Sequence, residues 1–295
     1  MSQIYPADSL PINFLEKYKD QIRITPLKMN IQRLLEALAD NDMTPKQMSD
    51  VIYHYPVISA RLICLANSAW ASPLIPVTSV EAACIRLGNA LIKSVSIAIA
   101  VSSSFNTARC PAFKPIRHWA TSLLVAETAV LLFNHIPDKT PYPLDIEPIL
   151  RSSGILHNIG LLWLADNFAL ETDQVLNHTS THLSVCVNQT FQQSLGVDYC
   201  AIGAWIARHM EIPEVLTSVI AQHRNPEVSV NTPLQILLVG SAAKMVSALF
   251  HQTDWVADSV LLDLGIANDQ QLYITEQLEK RFVSTKELAR VLLAN

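Results

Sequence analysis

His157 and Asn158 stand side by side in an apolar stretch, Gly154-Ile155-Leu156-His157-Asn158-Ile159-Gly160-Leu161-Leu162. Burying an imidazole beside a carboxamide costs several kcal/mol unless each finds a partner. Two readings compete. One is a core pair satisfied by hydrogen bonds, with Gly154 and Gly160 permitting close helix contact; the other is a ligand pair. His178 and His182 are four residues apart, which on a helix would face one metal. The run Asn177-His178-Thr179-Ser180-Thr181-His182 is polar and turn-like, so a solvated loop is expected. His209 follows Arg208 late in a helical segment, where a cation suits the carbonyl end, and reads as structural. The five cysteines (Cys64, Cys84, Cys110, Cys186, Cys200) are scattered and form no Cys-x-x-Cys pair. They read as reduced, buried thiols of a cytosolic chain. No local Ser-His-Asp or Cys-His signature is present, and the tryptophans read as core.

Composition narrows the classes further. Half of the 295 residues are apolar, which excludes disorder for most of the length. Only 7 are glycine, so phosphate-cradling glycine loops are not the working parts. The net charge of −5 and the lack of a basic footprint argue against nucleic acid. The first ten residues lack the basic flank and apolar core of a signal peptide. The apolar stretches 90–101 and 234–250 carry Lys93 and Lys244 and fall short of the roughly 18 apolar residues of a span. The expectation is a soluble, cytoplasmic protein with no membrane contact.

Helical elements must position these residues. Thr44-Pro45-Lys46-Gln47 reads as a capping box with proline in the first turn. Thr232-Pro233-Leu234-Gln235 repeats the device, and Thr78 with Glu81 and Ser284 with Glu287 are two more. Apolar positions recur at helical spacing in Ile31, Leu34, Leu35, Leu38, again in Ile58, Leu62, Leu65, Ala66, and again in Leu123, Leu124, Ala126, Val130, Leu131. Strand alternation is absent, so the fold class is all-α. The proline-marked stretch 106–115 separates two helical subdomains, and 137–148 reads as an exposed loop. The expected organisation is 1–108, 109–230 and a C-terminal helical extension, 231–295. That extension ends in an amphipathic helix over 285–293. It either completes the core or forms a homodimer face.

Several blocks carry a resemblance. Tyr55-Pro56-Val57-Ile58-Ser59-Ala60-Arg61-Leu62-Ile63-Cys64-Leu65-Ala66-Asn67-Ser68-Ala69 looks like the hallmark of HDOD domains, HD-related output domains of bacterial signalling proteins. Ser79-Val80-Glu81-Ala82-Ala83-Cys84-Ile85-Arg86-Leu87-Gly88 is similar to their next block. Trp119-Ala120-Thr121-Ser122 resembles their Trp-x-His-Ser, with Thr121 in the histidine place. Gly154 to Leu162 resembles the second histidine segment of HD phosphohydrolases, with Asn158 in the aspartate place. Gly196-Val197-Asp198-Tyr199 resembles Gly-x-Asp-His, with Tyr199 in the histidine place. Ile212-Pro213 and Ala221-Gln222-His223 match the end of the pattern, where a His-His pair is usual and His223 alone remains. The resemblance covers about residues 20–225, with an N-terminal bundle packed on a degenerate HD-like subdomain.

In the HD superfamily these positions hold a divalent metal that acidifies a water. Here the resemblance implies a vestigial site at Thr121, His157, Asn158, Tyr199 and His223. No family aspartate is matched at the end; Asp254 and Asp258 lie outside the resembling region. The expectation is therefore no catalytic residue, no metal and no cofactor, in a signal-transduction module that binds a protein partner or a small ligand. The alternative is a divergent metal-dependent phosphohydrolase acting on a nucleotide or cyclic dinucleotide.

Overall fold

The computed structural model describes residues 10–22, 33–34, 36–38, 40, 42–68, 71, 75–143, 145–182, 186–227 and 231–293. Ile31, Leu35, Ala69 and Trp70 of the sequence reading lie outside the described residues. All regular structure among the described residues is helical.

The N-terminal part holds α1 (Ile12–Tyr18), α2 (Pro45–Tyr53), α3 (Pro56–Ala66), α4 (Val80–Leu87) and α5 (Asn89–Ser102). A short 3-10 turn, Thr107–Arg109, follows within the proline-marked connection. Then come α6 (Pro115–Asn134), α7 (Ile146–Leu156), α8 (Ile159–Asn167), α9 (Ala169–Thr181), α10 (Val187–Leu195), α11 (Tyr199–His209) and α12 (Glu214–Gln222). The last are α13 (Leu234–His251), α14 (Ser259–Asp263) and α15 (Asn268–Leu293).

The helix starts show which local signals prevail. At Thr44 the full capping box forms: its hydroxyl accepts from the Gln47 amide, and the Gln47 side chain accepts from the Thr44 amide. The other three differ from expectation. Helix α4 is capped one residue later than Thr78, by Ser79, which accepts from the Ala82 amide at 3.1 Å. Helix α13 starts at Leu234 after Pro233, with no side-chain cap bond. Ser284 caps nothing: it lies inside α15, where its hydroxyl donates to the Arg281 carbonyl at 2.9 Å. A serine hydroxyl that bonds back to the preceding turn is compatible with a continuous helix. The amphipathic segment expected over 285–293 is thus the end of one longer helix.

Burial follows the helical periodicity. Leu34, Leu38, Ile58, Leu62, Leu65 and Ala66 are all buried. One apolar cluster runs from α1 through α5 into α8, α11 and α12, and it also takes in the end of α15. A second joins α6 and α7 to α13 and α15. The C-terminal helices therefore complete the core. Aromatic rings tie α1 to the distal helices: Phe14 and Tyr18 lie 5.6 and 5.0 Å from Phe168, and Trp163 lies 5.5 Å from Phe168.

Helices α6 and α13 are long and apolar enough to cross a membrane by length and composition. The sequence reading put 234–250 below that threshold. In the fold most of each apolar window is buried inside the protein. Lys244 on α13 turns out to the side and pairs with Asp258 at 3.0 Å. Three cysteines are buried as expected, but Cys64 and Cys186 are exposed; all five thiols are free.

Two helix crossings are close enough to bring backbones into contact. A Cβ on Gly160 would lie 1.9 Å from the Tyr199 carbonyl oxygen and 2.7 Å from the Gly203 nitrogen. A Cβ on Gly154 would lie 2.4 Å from the Ala126 Cα. Backbone cannot yield as a flexible side chain can. Gly160→Ala should therefore cost at least about 1–3 kcal/mol, read as a lowered urea midpoint. An unchanged midpoint would show that α8 and α11 separate freely.

Candidate functional site

His157 and Asn158 do not lie within one helix, as the apolar run suggested. They form the junction between two: His157 ends α7 and Asn158 precedes α8. A junction leaves carbonyls without intrahelical partners, and His157 uses one of them. Its Nδ1 lies 2.7 Å from the Gly154 carbonyl, which makes Nδ1 the protonated nitrogen. Asn158 Oδ1 lies 3.0 Å from the Ser122 hydroxyl on α6. That hydroxyl is also 3.1 Å from the His118 carbonyl, so its single proton serves two acceptors.

Tyr199 starts α11, whose cap is Asp198 accepting from the Ala201 amide at 2.9 Å. His223 ends α12. Its Nδ1 is 3.1 Å from the Ile220 carbonyl and 3.2 Å from that of Val219, so it too carries its proton on Nδ1. The Tyr199 hydroxyl sits 3.3 Å from His223 Nε2 and donates to it. Arg224 Nε in turn donates to the Tyr199 oxygen at 3.2 Å. The chain of donors runs from guanidinium to phenol to imidazole. The His157 and His223 rings meet edge to face, 5.0 Å apart. Cys200 Sγ is 3.9 Å from both His223 ring nitrogens.

The structure thus gathers His157, Tyr199 and His223, with Asn158 joined through the His157–Asn158 junction. Thr121 is half-buried beside Ser122 on α6, and none of the hydrogen bonds above reaches its side chain. Ser122 takes the contact instead. His118, Cys200 and Arg224 also belong to the site and were missed in the sequence. The usable signal for His118 and Ser122 is their spacing of four, which places both on one face of α6. A cavity of about 10 Å³, the space of roughly one water, lies among His118, Trp119, Ser122 and Asn158. His118 Nδ1 is buried and has no hydrogen-bond partner among the described residues.

The remaining candidates lie elsewhere. His178 and His182 are exposed, as a solvated pair should be; His178 lies in the last turn of α9 and His182 just beyond its end, with rings stacked at 4.5 Å. Up to Thr181 the loop expectation gives way to helix, because α9 continues that far and the Thr181 hydroxyl bonds back to the preceding turn. His209 closes α11 and bonds the Trp205 carbonyl at 2.8 Å, as a structural role requires. Asp258 is the cap of α14 and also accepts from Ser241 and Lys244.

The electrostatics keep the imidazoles neutral. Burial, and after it the neighbouring His157, pushes His118 down to about 3. Burial pushes His157 down to about 4, with Arg224 acting in the same direction. His223 is held well below the ordinary value by burial, then by His157 and Arg224. Burial raises the Tyr199 phenol above its usual range and the Cys200 thiol well above its own.

The donor set does not fit a divalent metal. Among the described residues no group of three or more His, Cys, Asp and Glu side chains is placed to hold one. The Nε2 lone pair of His223 is taken by the Tyr199 proton, and a guanidinium stands beside it. Catalytic zinc sites, by comparison, use three protein ligands and an open position.

The neutral histidines link stability to pH. Each binds a proton in the unfolded chain near 6.5 but not in the folded one until a much lower pH. Their contribution is intact above about pH 6.5 and is lost as pH falls towards 4 and then 3. Each histidine should add up to about 1.4 kcal/mol of lost stability per pH unit in that window. Urea unfolding between pH 7.5 and 5 should show the decline, with a shallower slope in His118→Asn. A flat profile would mean that these rings are solvated.

A family model, the HDOD domain, matches residues 24–226. No curated protein matches the chain. Among solved structures, one similar fold is a Marinobacter aquaeolei VT8 protein whose name proposes a role in signal transduction. It has a TM-score of 0.79 and 20% identity, over 91% of this chain and 60% of that one. The present chain thus spans about 60% of that longer protein. A Shewanella amazonensis SB2B protein named as a proposed phosphohydrolase has a TM-score of 0.70 and 22% identity, over 95% of this chain and 98% of its own. An HDOD domain protein of unknown function from Geobacter sulfurreducens has a TM-score of 0.71 and 18% identity, over 95% and 97%. These identities establish a shared fold. The family model spans well over half of the chain, and with the helical architecture around His157 and His223 it places this protein in the HDOD domain family.

Proposed function

We propose that this protein is a non-catalytic, cytoplasmic signal-transduction module that binds a protein partner or a small ligand through its degenerate HD-like half. One observation carries the reading. The Tyr199 hydroxyl, held by Arg224, occupies the His223 lone pair that a metal would need. A dication would meet a guanidinium there and no aspartate at Asn158. Without a metal, no group in the site brings the pKa of a water from about 15.7 towards 7. The name of the Marinobacter protein is consistent with a signalling role.

The alternative, a divergent phosphohydrolase acting on a nucleotide or cyclic dinucleotide, draws on one feature. His157 and His223 remain in ring contact, as two ligands of one metal would be. The name of the Shewanella protein points the same way. The two readings separate in one experiment. Purified protein should contain no stoichiometric metal by elemental analysis. It should not hydrolyse nucleotides or cyclic dinucleotides with Mg²⁺, Mn²⁺ or Fe²⁺. Turnover that disappears in His157→Ala would overturn the non-catalytic reading.

A further inference from the structure

Helices α5 and α6 and the α7–α8 junction meet around the cavity of about 10 Å³. Its wall is largely apolar, with Val101 from α5, Trp119 from α6, Ile155 from α7 and Leu162 from α8. Four polar side chains interrupt that wall: Ser102, His118, Ser122 and Asn158.

The hydrogen-bonding capacity of these four is unevenly used. Asn158 is 4% exposed. Its Oδ1 accepts from the Ser122 hydroxyl, which sets the orientation of the amide. The Nδ2 N–H groups then reach no acceptor among the described residues. The Ser102 hydroxyl donates to the Ile99 carbonyl at 3.1 Å, and the Ser122 proton is shared between Asn158 and the His118 carbonyl. Each serine oxygen keeps a lone pair. His118 Nδ1 is buried with no partner among the described residues, and the Phe113 ring lies 5.2 Å from the imidazole. Burial keeps that imidazole neutral, so the ring has one N–H and one lone pair.

The cavity therefore presents N–H donors from Asn158 and lone pairs from the serines and the imidazole. Leaving buried groups of this kind unmet is costly. A cation would face the Asn158 N–H groups, and an anion would face the lone pairs. Water has two lone pairs and two protons, and the volume admits roughly one molecule.

We propose that this cavity binds one internal water, which accepts from Asn158 Nδ2 and donates to His118 Nδ1 and to the Ser122 oxygen, fixing His118 as the Nε2-protonated tautomer. Three partners are usual for a buried water. The tautomer is opposite to that of His157 and His223, whose Nδ1 protons lie on carbonyls. The water joins the start of α6 to the α7–α8 junction, and this bridge holds whether or not the protein is catalytic.

The test is NMR of the full chain labelled with ¹⁵N-histidine, with water-to-protein NOEs, beside a crystal structure that resolves ordered water. His118 should report the proton on Nε2, and His157 and His223 on Nδ1. A water should stand about 2.7–3.2 Å from both Asn158 Nδ2 and His118 Nδ1. In His118→Asn the new carboxamide oxygen can take the place of Nδ1, so the water NOE should persist. In His118→Leu, which has no acceptor, the NOE should be lost. A His118 proton on Nδ1, a cavity without water density, or an unchanged NOE in His118→Leu would each overturn the site. If His118→Leu does not fold, the tautomer and the density in the parent decide.

Discussion

The backbone contact between α8 and α11 is the constraint on which the site depends. Gly160 and Gly203 face each other there, and the Tyr199 carbonyl occupies the space a Cβ on Gly160 would need. This contact sets where α11 begins, and so where the Tyr199 ring enters. Gly240 on α13 extends the arrangement: a Cβ there would lie 2.7 Å from the His223 carbonyl oxygen. Four of the chain's few glycines, Gly154, Gly160, Gly203 and Gly240, thus sit at the crossings that bring α6, α7, α8, α11, α12 and α13 together. Larger residues would hold the helices apart at these points, since interiors are packed too densely to absorb a methyl against backbone.

Within that frame the site is organised by proton donors. Arg224 donates to Tyr199, and Tyr199 donates to His223. His157 and His223 both place their Nδ1 protons on carbonyls of their own helix ends. Every imidazole at the centre is neutral because burial penalises its charged form. The positive charge there resides instead on Arg224, which does not titrate in the accessible range. A metal centre inverts this arrangement: it needs lone pairs facing inward and anionic ligands to balance the ion.

Much of the fold was legible because its signals are local. Helical spacing of Ile58, Leu62 and Leu65 predicted burial, and Thr44 with Gln47 predicted a cap. Local signals failed where two were equally good or where a longer helix absorbed one. Ser79 displaced Thr78 as a cap, and Ser284 was absorbed into α15. The site was legible in part. His157, Asn158, Tyr199, His223 and Thr121 were named from resemblance, while the hydrogen bond to Asn158 comes from Ser122, the neighbour of Thr121. Arg224 carried no signal in a linear pattern, because its role comes from the approach of α11.

The sequence by itself determined the helical class and the apolar faces, since each depends on residue type and short-range spacing. Tertiary structure alone decided that α7 breaks at His157, that Tyr199 fills the His223 lone pair, and that Arg117 meets His251. The physical reason is distance along the chain. These contacts join residues dozens of positions apart, so they exist only once the glycine crossings have brought the helices together.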